Sequence, residues 1–578
     1  MPDTLNKTVN VNAGGIEKQT YDAIVIGSGI SGGWAAKELC ELGLKTIVLE
    51  RGRNVEHLKD YPTMTKAPWE FPHRGTMPYQ FYKENPLITK ASGFGEDTAH
   101  FFIRDEDHPY IQDKPFDWIR GYQVGGKSII WGRACQRWSN FEFEAPAKLG
   151  YGIDWPIRYE DIAPWYSYAE KFIGVCGNKD GLESMPDGEF LPPFEFNCVE
   201  KHLQKSYLEH YKNRYYVQGR WAHLSQPNEI HQQQGRGKCQ ARNLCMRGCP
   251  FGAYFSSVST TLPWASRTGN LTVRPFSVVH SIIYDEKKQK ALGVRVIDTN
   301  TKQVTEYYSK IIFVNASALN TNLILLNSTN NRFPNGLGND HDVLGRYIGF
   351  HLYRGFVNAA FEGYEDKYYY VRNPTEGIIA NYRNLGRQEM DYVGGFTTFS
   401  GASRSRGAVN SYEPELGSDF KERLSIPGRW EAYMYMQGET IPKASNHVRL
   451  SEGKKDQWGI PLLVTSVDYD NNDEKMIKDF LEQSTEMFEK AGGKILNVID
   501  NKQAPGLDIH EMGGVRMGKD PKTSMLNEWN QLHHCKNVFV TDGACMTSTG
   551  NQSPSILYMA LTARAATYAV SELKKQNL

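Results

Sequence analysis

The sequence predicts an α/β protein in two parts, one with a parallel sheet and one with a large, mainly antiparallel sheet and helices. Two segments predict the parallel part: residues 22–50 give strand, glycine turn, helix and strand, and a short strand at Val538–Asp542 precedes a helix at Ile556–Gln576. Aromatic and polar residues alternate at strand spacing in Tyr368–Val371 and Trp430–Met436, which predicts the antiparallel sheet. The parallel part is therefore built from the two ends of the chain.

The first glycine turn has the spacing G-x-G-x-x-G at Gly27, Gly29 and Gly32, and Glu50 ends the following strand. The first glycine permits a tight turn, the second lets backbone N–H groups approach a pyrophosphate, and the third lets helix and strand pack closely. A carboxylate at Glu50 is placed to accept hydrogen bonds from a ribose hydroxyl. These features predict a Rossmann-like nucleotide-binding unit, and the alternative is a purely structural glycine turn.

Composition excludes several classes of protein. The 578 residues include 66 Lys and Arg against 66 Asp and Glu, so no basic field favours nucleic acid. Nine cysteines are too few for a disulfide scaffold. The start, MPDTLNKTVNVNAGG, has no apolar export signal, and no apolar run reaches the ~18 residues of a membrane span. We expect no transmembrane segment and no export signal on this chain.

Five segments spread along almost the whole chain share a known pattern: Val25–Glu50, Val124–Trp131, His510–Gly518, Val540–Gly543 and Asn551–Pro554. In this order they resemble the glucose-methanol-choline (GMC) oxidoreductases, a flavin family. Within that family the chain is most similar to bacterial FAD-dependent sugar dehydrogenases of the glucoside 3-dehydrogenase type, through the run Tyr558–Arg564.

The resemblance implies a bound FAD and assigns its contacts. The first glycine turn and Glu50 would hold the nucleotide. A second glycine turn, at residues 125–128, would lie near the isoalloxazine or pyrophosphate, and the backbone of Val279 would contact the adenine. Asp542 and Gly543 would close over the pyrophosphate and ribityl chain. In that order the residues are Gly27, Gly29, Gly32 and Glu50; Gly125, Gly126 and Ser128; Val279; Asp542 and Gly543.

The resemblance also divides the chain. The discontinuous FAD-binding domain would comprise residues 18–55, 110–140, 238–330 and 500–578. The substrate-binding domain and its lid would comprise residues 56–109, 141–237 and 331–499.

Ile130 bears on how the flavin is attached. Some relatives have a histidine at this position, just before the tryptophan of the second turn, and that histidine is bonded covalently to the flavin. An isoleucine side chain cannot form this bond. We expect a noncovalent FAD.

His510 is the candidate catalytic base. Oxidation of an alcohol by a flavin needs a group that takes the hydroxyl proton while a hydride leaves the carbon for the flavin N5, and imidazole suits this task. His510 stands six residues before Arg516, as does the catalytic histidine of the family. The alternative is a core histidine satisfied by backbone groups. The other fourteen histidines receive no role in this mechanism.

A second catalytic residue, which hydrogen-bonds the substrate oxygen, is a histidine or asparagine next to a proline in the family. In this chain Ser553 precedes Pro554, and Asn551 stands two places before Ser553. An amide both donates and accepts, so Asn551 is the first choice and Ser553 the alternative.

Three cysteines, Cys239, Cys245 and Cys249, lie within eleven residues, and Pro250 follows the last. The ending C-x-x-x-C-P is found in iron–sulfur ligand runs, whereas zinc would need a fourth ligand that no suitably spaced pair provides. Three thiolates fit a 3Fe-4S cluster, and similar sugar dehydrogenases of the family carry one. The alternatives are a disulfide with one free thiol, or three buried thiols. Cys135 could be an extra ligand or a disulfide partner.

The resulting hypothesis is an FAD-dependent dehydrogenase that oxidises a secondary hydroxyl of a pyranose, at C3 of glucose or a glucoside, to a keto sugar. Electrons would leave through the cluster to an acceptor such as a cytochrome or quinone. A small partner subunit with an export signal would then place the enzyme in the periplasm, and the alternative is a cytoplasmic enzyme. The rival activity is a pyranose or alcohol oxidase of the same fold that uses oxygen. A flavin carrier without its own chemistry is a third hypothesis, which the sequence around His510 disfavours.

Overall fold

The computed structural model of the protein describes residues 20–367, 374–406 and 416–578. The predicted strand at Tyr368–Val371 and the first two residues of the predicted segment 18–55 lie outside this part of the chain.

The strands of the described residues are numbered in chain order. They are β1 (Ala23–Ile26), β2 (Thr46–Leu49), β3 (Ile111–Gln112), β4 (Tyr216–Gln218), β5 (Leu271–Arg274), β6 (Ser277–Asp285), β7 (Lys290–Asp298), β8 (Val304–Tyr308), β9 (Ile311–Val314), β10 (His351–Leu352), β11 (Gly355–Phe361), β12 (Gly377–Ile379), β13 (Phe396–Arg406), β14 (Pro427–Glu439), β15 (His447–Lys455), β16 (Pro461–Ser466), β17 (Lys494–Asp500), β18 (Gln531–Leu532) and β19 (Cys535–Phe539).

The α-helices of the same residues are also numbered from the N-terminus. They are α1 (Ile30–Glu41), α2 (Tyr79–Glu84), α3 (Asn140–Lys148), α4 (Tyr159–Ile173), α5 (Cys198–His210), α6 (Glu229–Gln233), α7 (Thr261–Ser266), α8 (Ala318–Leu326), α9 (Gly417–Ser425), α10 (Asn471–Lys490) and α11 (Ser555–Lys574).

A six-stranded sheet has the order β18-β19-β9-β1-β2-β5. All neighbouring strands in it are parallel except the edge strand β18. The strands β1, β2 and β9 are apolar at almost every position and buried throughout, as expected where helices cover both faces of a parallel sheet. Because its strands come from both ends and the middle of the chain, this sheet is discontinuous in sequence.

The last parallel strand, β19, begins and ends three residues before the predicted strand Val538–Asp542. Its pairing with β9 stops at Phe539, opposite Phe313. Beyond that point the backbone N–H of Thr541 donates to the Asn315 side chain at 3.1 Å, and the chain turns away from the sheet. Asp542 therefore lies in a loop at the carboxyl edge of the sheet.

A seven-stranded antiparallel sheet has the order β17-β11-β14-β13-β12-β4, with β10 also paired to β14. Helices α5 and α10 pack on one face, where Tyr207, Phe480 and Phe488 form a buried core with the strands. Asp470 caps α10 by accepting a hydrogen bond from the Asn472 N–H at 2.9 Å. The opposite face of this sheet is left to line a cavity.

Two three-stranded sheets complete the described fold, with the orders β6-β7-β8 and β15-β16-β3. Together the sheets and helices confirm the predicted α/β class, with one parallel and one large antiparallel sheet. No helix in the described part of the chain combines the length and apolar character needed to cross a bilayer.

Candidate active site

A cavity of about 960 Å³ lies between the parallel sheet and the antiparallel sheet. The turns after β1, β2 and β9 line one end, and residues of β13 and β14 line the other. In parallel α/β sheets, ligands bind outside the carboxyl ends of the strands, and the first end of this cavity lies there. The cavity thus joins a nucleotide-binding edge to the face of the antiparallel sheet.

The first glycine turn is shaped by two close backbone contacts. Gly27 has φ +94°, and a Cβ atom on it would lie 2.3 Å from the Asn315 carbonyl oxygen. A Cβ atom on Gly32 would lie 1.9 Å from the Gly27 carbonyl oxygen, because α1 packs directly on the turn. At Gly29 no protein atom lies within 4 Å of a Cβ position, and Gly29 lines the cavity. Gly29 therefore leaves room for a phosphate at the N-terminus of α1.

Glu50 is buried at the end of β2 and lines the cavity. Its carboxylate accepts hydrogen bonds from the backbone N–H of Ser28 at 3.2 Å and of Gly52 at 3.0 Å. Burial raises its pKa, while these hydrogen bonds lower it. The acid is thus fixed beside the glycine turn, where it can accept a hydrogen bond from a ribose hydroxyl.

The second glycine turn packs on the first. A Cβ atom on Gly126 would lie 3.3 Å from the Gly29 Cα atom, and the Gly125 N–H donates to the Ser28 hydroxyl at 3.0 Å. Ser128 holds the turn by donating to the Gly125 carbonyl oxygen at 2.6 Å. Gly126 and Ser128 line the cavity, and so does the next predicted position, Ile130, whereas Gly125 supports the turn from behind.

The remaining predicted FAD contacts also reach the cavity. Val279 lines it where the pairing of β6 with β7 is irregular. Asp542 accepts hydrogen bonds from the Thr321 hydroxyl at 2.6 Å and the Ala544 N–H at 3.0 Å, and burial raises its pKa to about 6. A Cβ atom on Gly543 would lie 2.4 Å from the Glu511 carbonyl oxygen, so only glycine fits this contact.

Several buried polar atoms on the cavity wall suit the groups of a flavin dinucleotide. Asn315 Nδ2, Asp508 Oδ1 and Glu511 Oε1 have no hydrogen-bond partner among the described residues, and all three residues line the cavity. An amide donor and carboxylate acceptors match the phosphates, hydroxyls and ring nitrogens of such a ligand. Together with the open side of Gly29, these atoms fit FAD.

His510 lines the cavity and contacts a second histidine, His351. The two Nδ1 atoms lie 2.8 Å apart, and the rings are nearly perpendicular, at 87°. Just before His510, Ile509 has φ +66°, a conformation that costs a β-branched residue about 1–3 kcal/mol. The backbone of this loop is thus strained where it presents the histidine to the cavity.

Both histidines are neutral at neutral pH. Burial lowers the pKa of His510 well below its ordinary value, and the neighbouring His351 and Lys127 lower it further. Burial lowers the pKa of His351 to about 4. A neutral imidazole can accept a proton, which is what a general base requires.

Asp508 lies beside this pair. One donor atom each of His351, Asp508 and His510 lie within 4.8 Å of one another. Burial and the nearby Glu511 raise the pKa of Asp508 to about 7, and its Oδ2 atom accepts the His351 backbone N–H at 2.7 Å. Because the facing ring nitrogens are hydrogen-bonded to each other, the cluster is a hydrogen-bonded network rather than an open set of metal ligands.

The structure separates the two candidates for the second catalytic role. The Asn551 side chain does not line the cavity, because its amide accepts from Thr397 at 2.8 Å and donates to the buried Glu142 at 3.2 Å. Ser553 does line the cavity and lies 3.3 Å from the Gln437 side-chain oxygen. The side chains brought to the cavity at this point are Ser553 and Gln437.

One wall of the cavity is formed by alternate residues of β14. Tyr433, Tyr435 and Gln437 share a face of the strand, and Phe399 stacks on Tyr435 with a ring-centre distance of 5.1 Å. The hydroxyls of the two tyrosines donate to the Glu376 carboxylate at 2.8 and 2.6 Å. This wall combines aromatic faces with hydrogen-bonding groups, as the recognition of a polyhydroxylated ring requires.

The three-cysteine loop borders the same cavity. Cys239, Cys245 and Cys249 are free, half-buried thiols, and Cys245 lines the cavity. Burial, with a smaller effect from Cys245 and Cys249, raises the pKa of Cys239 to about 11, so both of these thiols lie within electrostatic range of Cys239. Their three sulfur atoms do not all lie within 4.8 Å of one another, as ligands of a single metal ion would. All nine cysteines are free, and Cys135 is fully buried beside Cys176.

Sequence reasoning assigned no role to His351 or Gln437. His351 is 159 residues from His510 in sequence, and it reaches its neighbour only because β10 pairs with β14. No spacing or local pattern marks such a contact. Gln437 lies one residue beyond the predicted strand stretch Trp430–Met436, and alternation alone does not tell which face of a strand meets the cavity.

Comparison with known proteins finds matches to one enzyme family over most of the chain. Models of the N-terminal and C-terminal parts of GMC oxidoreductases match residues 21–352 and 442–562. The chain is 26% identical to a 2-methyl-1,2-propanediol dehydrogenase of Mycolicibacterium austroafricanum, over 95% of this chain and 94% of the relative. It is 24% identical to a fructose dehydrogenase large subunit of Gluconobacter japonicus, over 97% and 99%. Its fold matches that of pyridoxine 4-oxidase from Mesorbium loti, with TM-score 0.58, 16% identity and coverage of 95% and 98%.

Two glycine substitutions separate packing from ligand access. Gly32→Ala places a methyl group against the Gly27 carbonyl oxygen, and we expect a loss of about 1–3 kcal/mol in the free energy of unfolding. Gly29→Ala meets no protein atom, so we expect an unchanged free energy of unfolding for the FAD-free protein but an FAD affinity at least about tenfold lower, a cost of about 1.4 kcal/mol. Denaturant unfolding and FAD titration measure the two effects. Equal effects of both variants on unfolding would contradict this division.

Proposed function

Because the chain belongs to the GMC oxidoreductase family of FAD-dependent enzymes that act on CH–OH groups, we propose that it is a sugar dehydrogenase. In this proposal it oxidises a secondary hydroxyl of a pyranose, at C3 of glucose or a glucoside, to a keto sugar. The choice of C3 rests on the similarity of Tyr558–Arg564 to glucoside 3-dehydrogenases. The fructose dehydrogenase large subunit among the relatives supports a sugar substrate.

The observation that carries the proposal is the neutral His510 on the cavity wall, next to the predicted FAD-binding residues. His510 accepts the proton of the substrate hydroxyl. When bound, FAD supplies the acceptor at N5 for the hydride that leaves the same carbon. Ser553 and Gln437 orient the substrate oxygen, because both line the cavity and Asn551 is held elsewhere by Thr397 and Glu142.

The substrate ring would lie against the wall of Tyr433, Tyr435 and Phe399. Sugar C–H faces pack on aromatic rings, and the Glu376 carboxylate and Gln437 amide offer hydrogen bonds to hydroxyl groups. A carboxylate can accept more than the two tyrosine hydrogen bonds at Glu376, so a substrate with several hydroxyl groups gains contacts that a simple alcohol does not. The wall therefore favours a polyhydroxylated substrate over a simple alcohol.

A 3Fe-4S cluster on Cys239, Cys245 and Cys249 forms the second part of the proposal. The support for this part is that the three thiols are half-buried and one of them lies on the cavity wall, and that Arg133 lies within electrostatic range of Cys239, where its charge would stabilise a negative cluster. When bound to these cysteines, a cluster would supply one-electron transfer to an acceptor such as a cytochrome or quinone.

A pyranose or alcohol oxidase of the same fold is the second candidate, since pyridoxine 4-oxidase, one of the solved structures of similar fold, is an oxidase. An enzyme that gives both electrons to oxygen has no need of a one-electron relay, so iron content distinguishes the two. We further propose a small partner subunit with an export signal and a periplasmic location, and the alternative is a cytoplasmic enzyme. The name of the fructose dehydrogenase relative, a large subunit, supports a partner.

Substitution of His510 tests the proposed base. We expect His510→Ala to retain FAD, which the glycine turns hold, and to slow reduction of the flavin by sugar about 10²–10⁴-fold. Anaerobic stopped-flow mixing with glucose, methyl glucoside and cellobiose measures this rate. His341→Ala, at an exposed histidine, is the matched control. A near-normal rate in His510→Ala would remove His510 from the mechanism.

Cysteine substitution tests the cluster. Cys245→Ser should lose the iron and the EPR signal and slow reduction of cytochrome acceptors, while small dyes that reach the flavin are still reduced. Cys198→Ser, at another half-buried thiol, should keep both iron and activity. Absence of iron from anaerobically purified, FAD-replete wild-type protein would contradict the relay and favour the oxidase.

Denaturation tests the attachment of the flavin. Since Ile130 occupies the position of the flavin-linked histidine, acid precipitation should release all of the FAD into the supernatant. Absorbance of supernatant and pellet measures the distribution. Yellow colour that stays with the washed pellet would contradict a noncovalent FAD.

A further inference from the structure

The contact between His351 and His510 fixes where a proton must lie. Their Nδ1 atoms are 2.8 Å apart, which is a hydrogen-bond distance. Two neutral imidazoles can share such a contact only if one Nδ1 carries a proton and the other has a free lone pair. The identity of the donor therefore decides which nitrogen of His510 is basic.

The other nitrogen of His351 identifies the donor. His351 Nε2 lies 3.0 Å from the Thr549 carbonyl oxygen, which can only accept a hydrogen bond. The single proton of neutral His351 is therefore on Nε2, and its Nδ1 is an acceptor. It follows that His510 carries its proton on Nδ1 and has a free lone pair on Nε2.

The surroundings of His351 are rigid. The residue is fully buried in β10, does not line the cavity, and pairs with Glu439 of β14. Its backbone N–H donates to Asp508 at 2.7 Å, so the same strand segment also holds the loop that carries His510. The other charged groups at this site are Lys127 and Glu511, which pair with each other at 3.2 Å.

We propose that His351 is a positioning residue that sets the tautomer of His510 and directs its basic Nε2 nitrogen at the substrate hydroxyl. This inference rests on the proposed role of His510 as the base. In the reaction the substrate O–H bond breaks and an N–H bond forms at His510 Nε2, while the hydride leaves the same carbon for FAD. The Nδ1 proton of the resulting imidazolium continues to donate to His351, so the ring keeps its orientation through the proton transfer.

A histidine at position 351 affects the pKa of His510 differently from a carboxylate at that position. A carboxylate beside His510 would also orient the ring, but its negative charge would raise the pKa of the base. Neutral His351 orients the ring without that charge. The base thus stays unprotonated at neutral pH, in keeping with its lowered pKa.

Two substitutions separate the two nitrogens of His351. His351→Asn places an amide oxygen near the Nδ1 position and removes the donor to Thr549, whereas His351→Gln reaches the Nε2 position and removes the acceptor for His510. We expect flavin reduction by the sugar that wild type oxidises to stay within about tenfold in His351→Asn and to fall about 10²–10⁴-fold in His351→Gln. The loss should appear in the limiting rate and not in the sugar concentration at half-saturation. Equal loss in both variants, or a greater loss in His351→Asn, would overturn the proposal in favour of a structural anchor.

Neutron diffraction of deuterium-exchanged wild-type holoenzyme tests the tautomer without substrate or variants. We expect deuterium on His510 Nδ1 and on His351 Nε2, with none on His510 Nε2. Deuterium on His510 Nε2 with a bare Nδ1 would overturn the proposal. If no sugar or alcohol reduces the flavin, the proposed function fails while the neutron result still decides the tautomer. If His510→Ala is slow but His351→Gln is not, the base stands and the role of His351 fails.

Discussion

The nucleotide-binding end of the cavity depends on the side chain of Ser28. Its hydroxyl donates to the Glu50 carboxylate and accepts the N–H of Gly125 at 3.0 Å, so one oxygen connects the two glycine turns and the acid. The Ser257 hydroxyl donates to the Ser28 carbonyl oxygen at 2.8 Å and fixes the turn from the other side. Because these contacts are buried, loss of any partner would leave a polar group without a hydrogen bond. The shape of the predicted FAD site follows from this network.

The proposed catalytic site depends on a contact between the antiparallel sheet and a loop of the part that contains the parallel sheet. His351 belongs to the antiparallel sheet through its pairing with Glu439, whereas His510 lies on the loop that returns from β17 to the parallel sheet. Their contact at 2.8 Å places His510 between the predicted FAD-binding turns and the wall of Tyr433 and Tyr435. In the proposed mechanism, the predicted FAD site, His510 and the aromatic wall meet in the cavity only when both parts of the fold are in place.

The sequence predicted the local features well because their causes are local. The turn at Gly27 needs a positive φ, and the contact at Gly32 leaves no room for a side chain, so both positions are visible in the sequence as glycine. The predicted strand at Val538–Asp542 was shifted by three residues, since the end of β19 is set by its pairing with β9. Strand ends of this kind depend on a distant partner.

The site was less predictable where distant segments meet. Asn551 and Ser553 are two residues apart, and the contacts of Asn551 with Thr397 and Glu142 hold its side chain away from the cavity that Ser553 lines. His351 has no neighbouring pattern, and its place beside His510 arises from the register of β10 on β14. Register is a tertiary property, which a single sequence does not encode in a short window.

The most direct test of the account is identification of the product that wild-type holoenzyme makes from methyl glucoside with an artificial one-electron acceptor under anaerobic conditions. We expect a keto sugar with the carbonyl at C3, detected by NMR, and two equivalents of acceptor reduced for each molecule of sugar oxidised. A product oxidised at another carbon would contradict the assigned position. No product from any sugar, with rapid oxidation of simple alcohols instead, would contradict the proposed substrate class.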